Sequence, residues 1–338
     1  MTLGYCQGYP PGLHQRFALD ARPALKHSVA HSLFLIAALL ASTSFAQKFV
    51  LPSHFDEVVG AVSTVAASRE ETLLDIARRF SVGQREILMA NPSVDRWLPA
   101  DGAEVVLPTE YILPRVQRKG LVLNVPEMRI YYFPPREAGE PAFVHTFPVS
   151  IGRMDWSTPI AHTRVVEKTE NPTWRPPASI VAERRDNGEP PPEVIPPGPN
   201  NPLGRFALRL GLPGYLIHST NKPYGVGMRV THGCVRMYPE DIEFLYPLVP
   251  VGTPVAIVNQ PIKVGWVGDR LYVEIHPPLE EDPSKRRVKE RVLDLVRLES
   301  EKRRLVLDRA ALEEALTRQN GIPAAIGRAG ATGAAAGD

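Results

Sequence analysis

The sequence predicts a mainly β fold: a sandwiched or barrel-like sheet with one or two helices, preceded by a small α+β domain and followed by a helical extension. Short runs rich in β-branched and aromatic residues, separated by proline and glycine, fill the middle of the chain. Apolar residues at helical spacing are concentrated before and after that region. Many strands with few helices favour a closed or sandwiched sheet over a doubly wound one.

Residues 1–46 are interpreted as an upstream extension followed by a cleaved signal peptide. Arg22 and Lys26 precede the apolar run Leu33–Ala41, and Ser44–Ala46 then supplies the small residues that signal peptidase recognises. The run has nine residues, whereas a helix that spans a membrane needs roughly 20. We therefore expect cleavage after Ala46, a periplasmic location and no membrane span in the mature chain. The alternative interpretation of this apolar run is a buried core helix.

Residues 59–108 have the pattern of a small βααβ domain. Ser68–Glu71 and Ser81–Gln84 have the form of capping boxes, and apolar residues at helical spacing follow them. Asn91-Pro92 ends the second helix, because the residue before a proline avoids helical backbone angles. The segments LLDIARRFSV, ILMANP and LPADGAEVVLP resemble a LysM domain, which implies binding of N-acetylglucosamine-containing glycans. A plain α+β spacer is the alternative.

The β domain is expected over residues 119–260, followed by a terminal hairpin over 261–278 that turns at Gly268-Asp269. One helix is predicted over Pro239–Leu248, because proline fits the first turn and acidic residues follow it near the positive end of the helix dipole. The predicted strands of the domain are Leu121–Val125, Arg129–Phe133, Phe143–Ile151, His162–Lys168, Phe206–Leu210, Tyr215–Thr220 and Val255–Val258.

A proline-rich segment, residues 171–204, interrupts the β domain without any periodic pattern. An insertion of this length inside a compact domain is more often a functional lid or a disordered segment than a simple connection. Trp174 and the ending Asn201–Gly204 favour an ordered segment. We therefore predict a lid that forms a wall over the active site.

Residues 284–320 are predicted to form a basic helical extension. Ser284–Arg304 holds nine basic and four acidic residues, and Asp308 can cap a second short helix. A solvated helix packed on the domain is one interpretation, and contact with anionic envelope polymers is the other. The Gly/Ala-rich residues 327–338 are expected to be disordered.

Charge limits the class of partner. The whole chain has a formal charge of +2, and residues 1–46 carry three basic residues against one acidic residue, which is also +2. The mature chain is therefore close to neutral, which argues against nucleic acid as a partner.

Cysteine usage points to nucleophilic chemistry. The chain has two cysteines, and Cys6 lies within the predicted leader, so Cys234 is left unpaired in the mature protein. An exported protein with an unpaired thiol calls for an explanation. His218 lies 16 positions before Cys234 and His232 lies two before it. An imidazole can take the thiol proton so that the sulfur attacks a carbonyl carbon.

Position along the chain suggests a role for each neighbour of the thiol. His218 is the preferred base, because a side chain at the end of a strand can project into a cleft. His232 belongs to the loop of Cys234 itself and is assigned to shaping the oxyanion side, with the backbone N–H groups of Gly233 and Cys234 as donors. Arg236 can hold a substrate carboxylate with two hydrogen bonds. Because a paired imidazolium lowers the pKa of a thiol, we expect a thiolate at neutral pH.

The segment IHSTNKPYGVGMRVTHGCVRMYPEDIEFLYPLVPVGTPVAIV closely resembles the signature of the periplasmic L,D-transpeptidases with a YkuD-type catalytic domain, and NPTWRPP and PPGPNNPLG extend the likeness. The resemblance implies that Cys234 is the acylated nucleophile, that His218 is the general acid/base and that the carbonyl of Ser219 orients the imidazole. Many relatives have glycine in place of Ser219, but the implied role belongs to the carbonyl. Trp174 and Tyr224 are expected to bind substrate.

The implied reaction is acyl transfer on peptidoglycan without a cofactor or metal. Cys234 would form a thioester with the third residue of a tetrapeptide stem, release D-Ala and pass the acyl group to an amine of a second stem or to a lysine of an envelope lipoprotein. Carbapenems are implied as acylating inhibitors. A cell-wall cysteine endopeptidase or carboxypeptidase is the alternative, and a zinc site of His218, His232 and Cys234 or a binding protein with an inactive domain is less favoured.

Overall fold

The computed structural model describes residues 47–51, 57–136 and 139–330. The predicted leader and residues 331–338 of the predicted tail lie outside these ranges. Within them, no helix combines the length and the apolar character that crossing a membrane requires.

The N-terminal part contains a βααβ arrangement. Strands β3 and β4 pair in antiparallel fashion around the two helices, and β2 pairs with β5. The helices bury apolar side chains against these strands in a small core of their own. The elements are β1 (Gln47–Val50), β2 (Val58–Gly60), β3 (Ser63–Ala66), α1 (Leu73–Arg79), α2 (Gln84–Ala90), β4 (Glu104–Leu107) and β5 (Glu110–Ile112).

Both predicted capping boxes were placed too early in the sequence. Helix α1 is capped by Thr72, whose hydroxyl accepts a hydrogen bond from Asp75 N at 3.1 Å while the Asp75 carboxylate accepts one from Thr72 N at 2.9 Å. At α2 the carboxylate of Glu86 accepts a hydrogen bond from the N–H of Gly83 at 2.6 Å. The cap has to stand directly before the first buried turn, and Ser68–Glu71 forms a separate turn ahead of it. The predicted helix end at Asn91 is confirmed.

A closed barrel of eight strands forms the centre of the molecule. Its strands follow the order β8-β13-β11-β10-β9-β14-β6-β7, and β7 pairs again with β8 to close it. The predicted mainly β, barrel-like fold is thereby confirmed. The elements are β6 (Gly120–Asn124), β7 (Arg129–Phe133), β8 (Phe143–Gly152), β9 (Ala161–Glu170), α3 (Ala178–Asp186), β10 (Phe206–Leu210), β11 (Leu216–His218), β12 (Arg229–Thr231), β13 (Val235–Met237), α4 (Pro239–Leu248) and β14 (Pro254–Val258).

The barrel is filled by the apolar side chains of alternate strand positions together with one face of α4. Helix α4 has the predicted bounds, and its Ile242 and Leu245 are buried in the same cluster. Among the elements from β6 to β14, three were not predicted: α3 inside the proline-rich segment and the short strands β12 and β13. The barrel core includes Leu121, Ile130, Phe147, Leu208, Ile217 and Val235.

The C-terminal part is a second sheet with two helices rather than a helical extension alone. The sheet has the strand order β15-β16-β18-β17, and α5 and α6 pack on it. Residues 327–329, predicted to be disordered, belong to β18, which pairs with both β16 and β17 and buries Ile326 completely. The elements are β15 (Ile262–Val267), β16 (Arg270–Ile275), α5 (Val288–Lys302), β17 (Leu305–Leu307), α6 (Arg309–Arg318) and β18 (Ala324–Ala329).

The N-terminal helices pack directly against the barrel. The fully buried guanidinium of Arg129 binds the carboxylate of Glu86 with two hydrogen bonds, at 2.9 and 2.7 Å. Gln84 N donates to Val226 O at 2.9 Å, and Arg85 N donates to Gly227 O at 3.3 Å. The two backbone contacts hold the chain segment that connects His218 to Cys234, so the position of that segment depends on the N-terminal helices.

Candidate active site

Cys234 lies in a tight loop between β12 and β13. Gly233 before it has φ of +95°, and a Cβ there would lie 2.9 Å from the ring of Tyr215, so only glycine fits this position without strain. The loop is tied down on both sides, because Thr158 Oγ1 donates to Gly233 O at 2.9 Å and Thr231 Oγ1 donates to Cys234 O at 2.5 Å. Cys234 is half-buried, and its thiol donates a hydrogen bond to Gly214 O at 3.5 Å.

Strand pairing brings the predicted base next to the strand that follows the thiol. Strand β11 ends at His218 and runs parallel to β13, with His218 opposite Arg236. Side chains opposite each other on neighbouring strands share a face, and so do residues two apart on one strand. His218 and Arg236 therefore lie on one face at the paired ends of β11 and β13, and Cys234 directly precedes β13.

Backbone groups of Ser219 and Leu203 hold the imidazole of His218. Ser219 O lies 2.6 Å from Nδ1, which is the contact that the family resemblance implied. Because a carbonyl oxygen can only accept, the proton is assigned to Nδ1, and Nε2 keeps the lone pair that a base needs.

Burial keeps both reactive groups neutral in the resting site. Burial, assisted by the nearby Arg236 charge, lowers the pKa of His218 to about 4. Burial also raises the pKa of the Cys234 thiol, and Arg236 offsets this only in part. The expected resting thiolate is therefore wrong: at neutral pH the site holds a thiol and an uncharged imidazole, because neither charge is well solvated.

Arg236 has unused hydrogen-bonding capacity. Its pKa is lowered by burial, and its Nε is buried without a hydrogen-bond partner among the described residues. A half-buried guanidinium with a buried and unpaired N–H favours an anionic ligand. The arrangement suits the substrate carboxylate that the sequence analysis assigned to Arg236.

His232 contacts the predicted lid. Its Nε2 lies 2.5 Å from a carboxylate oxygen of Glu183 in α3, and its ring meets the Trp156 ring edge-on at 5.2 Å. Glu183 also accepts a hydrogen bond from Arg153 at 2.5 Å. The sequence analysis missed these three partners, since neither spacing nor periodicity links them to the thiol loop.

The two aromatic residues predicted to bind substrate both form hydrogen bonds within the protein. Trp174 forms a β-bridge with Ile195 inside the lid, with both N–H···O distances at 2.8 Å. The hydroxyl of Tyr224 donates to Asp75 of α1 at 3.0 Å, although its ring is 54% exposed. Tyr224 thus ties the segment between base and nucleophile to the N-terminal helices.

The zinc arrangement considered above is not formed. In the described ranges, the side chains close enough to share an ion are Glu127, Glu274 and His276. Lys263 Nζ already lies between the two carboxylates of that group, at 2.9 and 2.7 Å. Its ammonium therefore supplies the positive charge that a metal would bring.

Comparison with known proteins gives a consistent family. The family described as YkuD, the L,D-transpeptidase catalytic domain, matches residues 118–257. Probable L,D-transpeptidase YbiS of Escherichia coli K12 is 38% identical over 288 residues, covering 83% of this chain and 92% of that protein. Probable L,D-transpeptidase ErfK/SrfK of the same strain is 38% identical over 299 residues, covering 86% and 94%.

One solved structure illustrates a more distant likeness. The catalytic domain of the E. faecium L,D-transpeptidase covers 43% of this chain and all of that chain, at 19% identity and a TM-score of 0.31.

Proposed function

Since the chain belongs to the L,D-transpeptidase family, whose enzymes are acyltransferases acting on peptidoglycan, we propose that Cys234 is the nucleophile and His218 its acid/base. One observation supports the assignment: the parallel pairing of β11 with β13 sets His218 opposite Arg236, two residues after Cys234, and the Ser219 O contact at Nδ1 assigns the lone pair to Nε2. The tautomers of the two histidines differ. Nε2 of His232 faces the carboxylate of Glu183, which can only accept a hydrogen bond, so the proton of His232 is assigned to Nε2.

In the first half-reaction the thiol proton passes to Nε2 of His218 as sulfur attacks the carbonyl of the third residue of a tetrapeptide stem. The carbonyl oxygen becomes an oxyanion, and the N–H groups of Gly233 and Cys234 are the proposed donors to it. His218 then gives the proton to the departing amine, so the C–N bond breaks, D-Ala leaves and a thioester remains on Cys234.

In the second half-reaction an acceptor amine attacks the thioester. His218 removes a proton from the amine and returns it to the sulfur as the C–S bond breaks. A second stem and a lipoprotein lysine are both chemically suitable acceptors, and Arg236 would hold a carboxylate of the bound stem. Water in place of the amine would give the carboxypeptidase alternative.

The remaining proposals concern location and glycan binding. The leader pattern supports export to the periplasm, with a mature N-terminus at Gln47 that N-terminal sequencing would identify. The βααβ domain displays Trp97 and Leu98, which are 64% and 74% exposed, on a turn whose two N–H groups bind Asp95. An exposed indole on a fixed turn suits stacking on a sugar ring. Trp97→Ala should weaken retention on peptidoglycan sacculi without reducing turnover of soluble muropeptides.

The direct test is to incubate the mature chain with defined muropeptides and to measure products and intact mass. Wild type should release D-Ala and carry an acyl adduct on Cys234, and a carbapenem should modify the same residue. Cys234→Ala should abolish both reactions while keeping the cooperative unfolding of the wild type. Full transfer by the alanine variant, or an adduct on another residue, contradicts the assignment.

A further inference from the structure

A single carboxylate joins three chain segments beside the nucleophile. Glu183 in the lid helix α3 contacts Nε2 of His232 at 2.5 Å through one oxygen and Arg153 at 2.5 Å through the other. His232 belongs to the loop of Cys234, and Arg153 directly follows β8. The partners lie 49 and 30 positions from Glu183 in sequence, so the contact is purely tertiary.

The same segments are tied together by backbone contacts. Arg153 N donates to Thr231 O at 3.0 Å, and Trp156 N donates to Arg153 O at 3.0 Å. The Trp156 ring then lies edge-on to His232. The imidazole of His232 is thus confined by an aromatic ring on one side and by the Glu183 carboxylate at Nε2.

This contact differs from the other ion pair of the lid. Arg184 and Glu189 lie 3.7 Å apart with side chains 43% and 77% exposed, which is the geometry of a weak surface pair. Glu183 forms two short hydrogen bonds instead, and those from His232 and Arg153 hold the pKa of its carboxyl below the usual range. The carboxylate therefore stays charged across the neutral range.

We propose that Glu183 is a positioning residue for acyl transfer, which acts through His232 to hold the loop of Gly233 and Cys234 and to seat the lid beside it. The proposal rests on the assignment of Cys234 as nucleophile. A carboxylate fixes the Nε2–H tautomer and the ring orientation of the histidine it binds. Because the ring is part of the thiol loop, that orientation sets where the oxyanion donors point.

The test measures kcat and KM for a muropeptide donor in Glu183→Ala, Glu183→Gln, His232→Gln and the double variant Glu183→Ala/His232→Gln. Misplacing a reacting group lowers turnover, so Glu183→Ala should reduce kcat by about 10- to 100-fold. KM should change by less than about threefold, because ground-state contacts remain. Glu183→Gln, which keeps an acceptor oxygen, should recover part of the loss. The matched control Glu189→Ala should behave as wild type.

The double variant decides whether Glu183 acts through His232. If it does, adding Glu183→Ala to His232→Gln causes no further loss of kcat. The proposal is overturned if the kcat losses of the two single variants multiply in the double variant. It is also overturned if Glu183→Ala changes KM alone or keeps the wild-type kcat. Cooperative thermal unfolding is checked for each variant, and Glu183→Gln decides the matter if the alanine variant does not fold. Absence of a Cys234 adduct in the wild type would instead refute the nucleophile assignment.

Discussion

The neutral His218 predicts an unusually acidic lower limit for activity. Its pKa of about 4, against the ordinary 6.5, means that protonating the ring in the folded site costs about 3 kcal/mol more than in water. A base must be unprotonated to take the thiol proton, so kcat/KM of the free enzyme should fall only as pH drops towards 4. An unperturbed histidine would lose activity near pH 6.5.

Arg236→Gln perturbs this limit in a defined direction. The variant removes the positive charge that faces His218 but leaves the burial, which is the larger cause of the low pKa. The midpoint of the acid limb of the kcat/KM profile should therefore rise from about pH 4 and remain below pH 6.5. Lys222→Gln removes a positive charge from an exposed position of the connecting segment and should leave the limb in place.

The assay is kcat/KM for acyl transfer from a defined muropeptide at intervals between pH 3.5 and 8, with far-UV circular dichroism at each pH. The ratio of variant to wild type cancels the titration of the substrate's own groups. Arg236→Gln also loses the proposed contact with the substrate carboxylate. That loss by itself lowers kcat/KM at every pH and does not move the midpoint of the pH profile. A wild-type midpoint near 6.5, or an Arg236→Gln midpoint identical to wild type, would refute the reasoning.

Three further predictions concern the thiol and the buried charges. Because burial raises the pKa of the Cys234 thiol, iodoacetamide should alkylate it more slowly at pH 7 than a cysteine in an unstructured peptide; a faster reaction would contradict a neutral resting pair. Glu86→Ala leaves the buried Arg129 charge unpaired and should lower the free energy of unfolding by about 3 to 5 kcal/mol in urea titrations, whereas Glu86→Gln should cost less. The pKa of Asp241 is raised by burial from 3.8 to about 7, so its folded form binds a proton that the unfolded chain lacks between these values. Wild type should therefore gain up to about 4 kcal/mol of stability relative to Asp241→Asn as pH falls from 8 to 4, and an unchanged difference would exclude this linkage.

The sequence by itself determined most strand positions and helix α4. Alternating apolar residues and the prolines and glycines between them are local signals, and they placed Arg129–Phe133, Phe206–Leu210 and Pro239–Leu248 at their observed bounds. The motif around Cys234 likewise identified the family. Each of these inferences depends on residues within one short stretch of chain.

Tertiary structure decided the rest. The sequence carried no signal that β11 lies parallel to β13, and only that pairing puts His218 opposite Arg236. The neutral state of the thiol and imidazole depends on burial by distant segments, so a local motif predicts the wrong charge. Glu183 comes from a helix with no buried residues in a proline-rich segment. Periodicity reports which side of an element is buried, whereas pairing register, desolvation and ion pairs between remote positions arise only when the chain closes on itself.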